Sequence, residues 1–357
     1  MKIATVVGAR PQFVKAAPLS KAIRQTHREL LIHTGQHYDP SLSDVFFQEL
    51  GLPAPDVHLG VGSGPHGKQT ARMLEGIEET LIRETPDLLL VYGDTNSTLA
   101  GSLAAAKLHI PIVHVEAGLR SFNRRMPEET NRVLTDHMSS LLFCPTDEAV
   151  ANLEREGIRE HVHMVGDIMY DAVLAFLPIA REKSDILTRL GLSPRQYAVA
   201  TVHRNENTDS PDRMRSILSA LSQLDRPVVL PLHPRARHYL NKWGLEPMLE
   251  APNLKVLEPL PYLDMLSLTS GAHAVLTDSG GLQKEAYMLR VPCLTIRNET
   301  EWVETVAHRW NRLAAADASS ILEAYGGIFV PEQHPPIFGD GRSAERMCRL
   351  MERFALQ

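Results

Sequence analysis

Residues 88–132 read LLLVYGDTNSTLAGSLAAAKLHIPIVHVEAGLRSFNRRMPEETNR. Two runs in this stretch, 88–92 and 110–115, are apolar at nearly every position instead of alternating. That is the pattern of strands covered on both faces of a parallel sheet. Each run breaks at an acid: Asp94 follows the first, and Glu116 ends the second. A further pair, Glu128 and Glu129, follows Pro127 at the start of an expected helix. Open α/β sheets bind ligands beyond the carboxyl ends of their strands. Asp94, Glu116 and Glu128 are therefore expected to converge on one ligand. Acids gathered there suggest proton transfer at an uncharged carbon or hydroxyl.

Outward from this stretch the chain keeps alternating. Strands are expected at 3–7, 30–33, 141–145 and 162–165, and helices at 41–50, 69–83 and 95–107. Residues 53–68, rich in Gly, Pro and His, read as a long loop. The second half restarts the pattern, with strands at 197–202, 228–232, 254–257, 274–277 and 293–296 and helices such as 213–224 and 281–289. Repeated strand–helix units imply doubly wound parallel sheets. The expected organisation is α/β, two Rossmann-like domains with a central cleft. They span 1–170 and 171–342, and a terminal helix from 343 packs back on the first.

Composition bounds the function. The chain has 357 residues, 43% apolar and 22% charged, as in an ordinary globular enzyme. A net charge of −6 argues against nucleic acid or an anionic membrane as partner. No apolar run approaches the roughly 20 residues of a membrane helix. The first residues, MKIATVVGAR, read as strand one and not as a signal peptide. Cys144, Cys293 and Cys348 are scattered, form no pairing pattern and read as structural thiols, which fits a reducing cytoplasm.

The motifs point to an anionic nucleotide but not to a dinucleotide. Strand one runs into VVGARPQ, which lacks the GxGxxG of a pyrophosphate-binding turn, so NAD is not expected. Arg10 and Lys15 flank a helix start at Pro11 and suit a phosphate or another anion, or else a solvated surface. In the second half, LTDSGGLQKEA (276–286) places Ser279, Gly280 and Gly281 at a helix start after a buried strand. Free N–H groups there suit phosphate oxygens. Glu285, one turn on, suits ribose hydroxyls. His203 and Arg204, in TVHRNEN, are placed to meet a leaving phosphate; a structural histidine is the alternative. No histidine spacing fits a metal site, and none is expected.

Taken in order, GARPQFVKAAPL (8–19), GDT (93–95), HVEAGLR (114–120), PEETNR (127–132), HR (203–204), LTDSGGLQKEA and RNETEWVE (297–304) resemble the non-hydrolysing UDP-N-acetylglucosamine 2-epimerases. The resemblance covers nearly the whole chain. It implies the B-type glycosyltransferase fold, UDP held mainly by the C-terminal domain, no cofactor, no catalytic metal and a homodimer. The implied reaction removes the proton at sugar C2, expels UDP from C1 to leave a 2-acetamidoglucal, and reverses on the opposite face. By the same resemblance Asp94, Glu116 and Glu128 are the acid/base carboxylates. Arg10, Lys15 and His203 serve the diphosphate or its departure. Ser279, Gly280, Gly281, Glu285 and Arg204 hold UDP, and Asn131 and Arg132 support the sugar.

Two departures stand out: YGDT with Tyr92 in place of HGDT, and TEWVE with Trp302 and Val303 in place of TERPE. These, with GLRSFNRRMPEE, resemble the branch acting on UDP-2,3-diacetamido-2,3-dideoxyglucuronic acid. Arg120, Arg124 and Arg125 are then candidate cations for the C6 carboxylate. Gln36, His37 and Arg72 match part of the site at which some bacterial members bind a second UDP-sugar as activator, although Asp39 stands where those members tend to carry glutamine.

Overall fold

The computed structural model describes residues 1–36, 47 and 49–356. Two compact units appear, one built from Met1–Ala175 with the chain from Pro336 onward, the other from Phe176–Pro335. His37, Asp39 and most of the helix expected at 41–50 lie outside the described residues.

The first unit holds a seven-stranded sheet among the described residues, ordered β3-β2-β1-β4-β5-β6-β7. Its strands are β1 (Lys2–Val7), β2 (Arg28–His33), β3 (Val57–His58), β4 (Leu88–Tyr92), β5 (Ile112–Val115), β6 (Leu141–Cys144) and β7 (Val162–Met164). Every pairing is parallel. The second unit holds a six-stranded parallel sheet ordered β10-β9-β8-β11-β12-β13. These are β8 (Ala198–Thr201), β9 (Val228–Pro231), β10 (Leu254–Leu257), β11 (Ala274–Thr277), β12 (Cys293–Thr295) and β13 (Asn311–Leu313). Both orders reverse direction once: between β1 and β4 in the first sheet, and between β8 and β11 in the second. Those switch points are where doubly wound sheets leave room for a ligand.

The apolar runs become strands because both faces are covered. Leu88–Tyr92 is buried along its whole length, and Ile112–Val115 likewise. One face packs Val6, Leu89 and Val91 against Met73, Ile77, Ala100 and Ala104 of two helices, His66–Glu84 and Asn96–Lys107. The alanines and Gly101 let the second helix lie close, since a Cβ on Gly101 would already touch Val6 and Val91. β5 starts at Ile112 and not at 110. The Ile110 amide still closes the preceding turn on Ala105, and Pro111 has no N–H to give a ladder.

The expected loop at 53–68 contains β3, and a helix already starts at His66. β13 was not expected either. Both are edge strands of two or three residues, too short for a periodic signal.

The terminal helix Ser343–Ala355 lies beside the helix Arg10–Thr26 in the first unit. Its start is held by Asp171, whose carboxylate accepts from the Ser343 and Ala344 amides at 3.1 and 2.9 Å. Cys144 and Cys293 are buried, Cys348 is half-buried, and all three are free thiols.

Tyr92 is fully buried and its hydroxyl finds no hydrogen-bond partner among the described residues. Burial pushes its phenol far above the usual range. Only its backbone carbonyl serves the site, accepting from Gln12 Nε2 at 2.9 Å and Thr98 Oγ1 at 2.7 Å. The Tyr of YGDT is therefore a packing residue. Tyr92→Phe removes a buried unsatisfied hydroxyl and should raise stability by about 1 kcal/mol with turnover unchanged. Urea unfolding and initial rates check this; a large loss of turnover would place the hydroxyl in the chemistry.

Candidate active site

In the first unit the site is built at the β1/β4 switch. Beyond β1, the helix Arg10–Thr26 starts with Arg10 and Pro11. Gln12 Oε1 accepts from the Gly8 and Ala9 amides at 2.8 and 3.1 Å, while its Nε2 reaches the end of β4. One buried amide thus straps the two strand ends together. Gly93 follows β4 in the left-handed region, at φ +60°. A Cβ there would stand 3.1 Å from Glu116 Oε2 and 3.4 Å from Lys15 Nζ, so only glycine fits.

Lys15 Nζ and Glu116 Oε2 form an ion pair, and both residues are buried. Glu116 itself sits at φ +73°, rare for a residue with a side chain. That conformation costs of order 1–3 kcal/mol and persists only where the surroundings impose it. Here the Glu116 and Ala117 amides both donate to the Phe143 carbonyl, at 3.1 and 3.0 Å.

The helix Pro127–Met138 brings the remaining groups. Arg132 Nε and Nη2 both bind Asp94 Oδ2, the former at 3.1 Å, and Nη1 binds Glu129 Oε2 at 3.0 Å. Asn131 Nδ2 donates to the Asp94 carbonyl at 2.9 Å and to Asn96 Oδ1 at 3.2 Å. Glu128 stands half-buried in the first turn, on the helix face shared with Asn131 and Arg132. The structure thus brings Lys15 to Glu116, and Asp94 to Asn131 and Arg132.

Several organising residues escape a reading by motif. Glu129 is buried and accepts from Ser121 N and Oγ, both at 2.9 Å, and from Phe122 N at 2.8 Å. It fastens the segment that carries Arg124 and Arg125. Arg120, considered above for a substrate carboxylate, is spoken for: its side chain is 1% exposed, bound to Asp136 at 2.7 Å and bidentate to Glu156 at 2.7 and 2.6 Å. That correction leaves Arg124 and Arg125, both exposed. Gln36 is also engaged, its Oε1 accepting from Ser97 N and Oγ at 3.0 and 2.7 Å. Arg72 lines an open recess with Leu59, Val61 and Glu75.

In the second unit the corresponding switch lies between β8 and β11, whose ends are joined by Thr201 Oγ1 and Thr277 Oγ1 at 2.6 Å. Asp278 is fully buried and accepts from the His203 amide at 3.1 Å, the Arg204 amide at 3.0 Å and Asn207 Nδ2 at 3.0 Å. It fixes the loop that carries His203, whose ring is 38% exposed with Nδ1 3.5 Å from Asp278 Oδ1. The helix Gly280–Met288 is capped by Ser279, accepting from Leu282 N at 3.4 Å.

Among the described residues nothing demands glycine at 280 or 281. A Cβ on Gly280 would meet Trp302 Nε1, Arg204 Nη2 and Glu301 Oε2 only at 3.6–3.8 Å, ordinary contact, and one on Gly281 only Ser279 Oγ at 3.9 Å. Bare backbone at a helix start, beside an arginine, suits an anionic ligand that approaches the N–H groups closely. Trp302 is buried below it, with Lys284 Nζ 4.3 Å from its ring centroid. Among the described residues no cluster of His, Cys, Asp and Glu could hold a metal ion. No helix of the described residues is long and apolar enough to cross a membrane.

Glu285 is buried on the same helix, and burial pushes its carboxyl up from 4.5 to about 7, against smaller opposing effects of Tyr262 and Lys284. A folded pKa above the unfolded value favours the folded state at low pH, and this advantage is lost as pH rises through about 7. The ligand-free wild type should therefore lose up to about 3 kcal/mol relative to Glu285→Gln between pH 5 and pH 8. Urea unfolding at the two pH values measures it; an equal difference at both would contradict the burial of this carboxylate.

Comparisons with known proteins give the family and the fold. The family model described as UDP-N-acetylglucosamine 2-epimerase matches residues 21–352. A UDP-N-acetylglucosamine 2-epimerase homolog of Methanococcus maripaludis is 51% identical, over 98% of this chain and 99% of its own. A UDP-2,3-diacetamido-2,3-dideoxy-D-glucuronate 2-epimerase of Pseudomonas aeruginosa is 46% identical, over 99% of this chain and 100% of its own. Among solved structures, Methanocaldococcus jannaschii UDP-GlcNAc 2-epimerase in complex with UDP-GlcNAc and UDP matches with a TM-score of 0.94 at 40% identity, covering 99% of this chain and 100% of that one. With its two parallel α/β sheets and its acids at the first switch point, the chain belongs to the UDP-N-acetylglucosamine 2-epimerase family.

Proposed function

We propose that this protein inverts C2 of a UDP-linked 2-acetamido sugar by eliminating UDP and adding it back. The observation that carries the reading is the gathering of Asp94 and Glu116 at the carboxyl ends of neighbouring strands, with Glu128 on the helix that supports them. Inversion at a carbon acid needs a proton acceptor on one face and a donor on the other, and three carboxylates meet that need. In the forward half, a carboxylate takes the C2 proton, the C2–H electron pair forms the C1–C2 double bond, and the C1–O bond breaks toward UDP. Re-addition from the glucal, with protonation on the opposite face, gives the epimer.

Departure of a diphosphate is helped by cations and by N–H donors. Lys15, Arg10, His203 and Arg204 are assigned to that task, and Ser279, Gly280, Gly281 and Glu285 to UDP. Work in the cytoplasm as a homodimer, for surface polysaccharide precursors, completes the proposal; light scattering tests the dimer.

A second reading of the sugar has its own support. Arg124 and Arg125 stand exposed on the segment that Glu129 fastens, a few residues before Glu128. With the Pseudomonas aeruginosa relative at 46%, this favours an acidic sugar carrying a C6 carboxylate. Incubation with UDP-N-acetylglucosamine and with the diacetamido uronate separates the two by NMR of the C2 signals. Arg124→Ala with Arg125→Ala should raise KM for the uronate alone.

The amides Asp94→Asn, Glu116→Gln and Glu128→Gln should each lower kcat by roughly 10²-fold or more, with UDP affinity nearly unchanged. Near-wild-type kcat in all three would end the assignment. Gly280→Ala should leave stability unchanged, or slightly higher from alanine's helix propensity, and weaken UDP binding; calorimetry showing unaltered affinity would move the nucleotide elsewhere.

A further inference from the structure

A buried charge cluster backs the carboxylate site, and its centre is His114. This ring lies on β5 with no exposure. Its Nδ1 is 2.7 Å from Asp136 Oδ1, and its Nε2 is 2.8 Å from the Gly93 carbonyl oxygen. A backbone carbonyl can only accept, and an ionised carboxylate can only accept. A neutral imidazole has one N–H. One of the two close contacts would then set lone pair against lone pair in a dry interior, where an unmade hydrogen bond is most costly.

Moving the proton to Asp136 does not resolve this. Asp136 Oδ2 accepts from Arg120 Nη1 at 2.7 Å and from the Gly118 amide at 3.1 Å, and Oδ1 also faces that amide at 3.3 Å. A guanidinium on a buried acid demands its carboxylate form. Burial opposes that form, but the bond and charge of His114 and then Arg120 outweigh it and hold the Asp136 carboxyl below its usual range. Arg120 is matched in turn by Glu156. With the ring charged, His114 and Arg120 balance Asp136 and Glu156, and the more exposed His137 stands outside this set with Nε2 3.3 Å from Glu156 Oε2.

We propose that His114 is carried as a doubly protonated, buried imidazolium, and that it serves the reaction as a positioning residue by pinning the Gly93 peptide. The opposite side of Gly93 is where Glu116 and Lys15 meet, and the next residue is Asp94. The ring therefore fixes one short turn from which two of the three site carboxylates are placed. The charged and titratable groups around it are Asp136 from the helix Pro127–Met138, Arg120 with Glu156 behind it, Cys144 from β6, and the Lys15–Glu116 pair across Gly93. Burial, then Asp136, pushes the Cys144 thiol far up, so it stays neutral.

The charge state is read directly from long-range ¹H–¹⁵N correlation of the full chain labelled at histidine nitrogens. At pH 8 an ordinary histidine, with a pKa near 6.5, shows one protonated and one bare ring nitrogen. His114, assigned by the signal lost in His114→Gln, should show two protonated nitrogens. A bare nitrogen on this ring at pH 8 would overturn the proposal. The spectrum decides this whether or not the chain is a 2-epimerase.

The positioning role rests on the epimerase reading and is tested with Asp136→Asn. Without the carboxylate nothing holds the second ring proton, so kcat of the variant should fall with rising pH where that of the wild type does not, while KM holds. A loss of kcat by one constant factor at every pH would reduce the pair to a structural role and contradict the proposal. Should this variant fail to fold, the wild-type spectrum still decides the charge.

Discussion

One peptide bears most of the arrangement, that of Gly93. Its left-handed backbone turns the chain sharply at the end of β4, and its missing side chain leaves the space in which Lys15 meets Glu116. Its amide donates to the Val115 carbonyl at 3.0 Å, so β4 and β5 are joined at their carboxyl ends. Its carbonyl receives the ring of His114 from within the sheet. A side chain at this position would crowd the acid at 3.1 Å and the ammonium at 3.4 Å, on a backbone that disfavours it. The glycine of GDT is thus required by contacts within the chain, whereas those of SGG are not, and that contrast separates a structural glycine from two that leave room for a ligand.

The polar interior of the first unit is a set of clamps, each with a mechanical task. Gln12 holds the end of β1 to that of β4, and Asn131 and Arg132 hold Asp94 to the helix that carries Glu128. Glu129 holds the segment before that helix, and Asp136 ties it to β5. Acid/base groups work only when held in place, and in water long side chains are not. The cost is a collection of buried charges, each tolerable because its partners are present. The strained backbone of Glu116 belongs with these, since a conformation that the residue disfavours survives at the point where two amides share one carbonyl.

Much of this was legible in the sequence. The two apolar runs at 88–92 and 110–115 gave a parallel sheet because burial on both faces leaves no room for polar alternation. The acids that end them marked the carboxyl edge. What was not legible has physical reasons. Strands of two or three residues such as Val57–His58 carry no period. Arg120 looked like a free cation, because sequence does not show that Asp136 and Glu156 fold around it from other elements. Tyr92 looked like a mark of substrate choice, but strand alternation turns its side chain into the core. His114 was visible as a lone polar residue in an apolar strand; its importance needed the two acceptors, 21 and 22 residues away in sequence, that face its ring nitrogens.

The most direct test of the account is epimerisation of the UDP-sugar in D₂O, followed by mass and NMR analysis of the product at C2. Carboxylates that exchange with solvent between taking one proton and giving another should place one deuterium at C2 of the inverted sugar, and Glu116→Gln should suppress that incorporation together with turnover. An inverted product that keeps its original hydrogen at C2 would contradict proton transfer by this site.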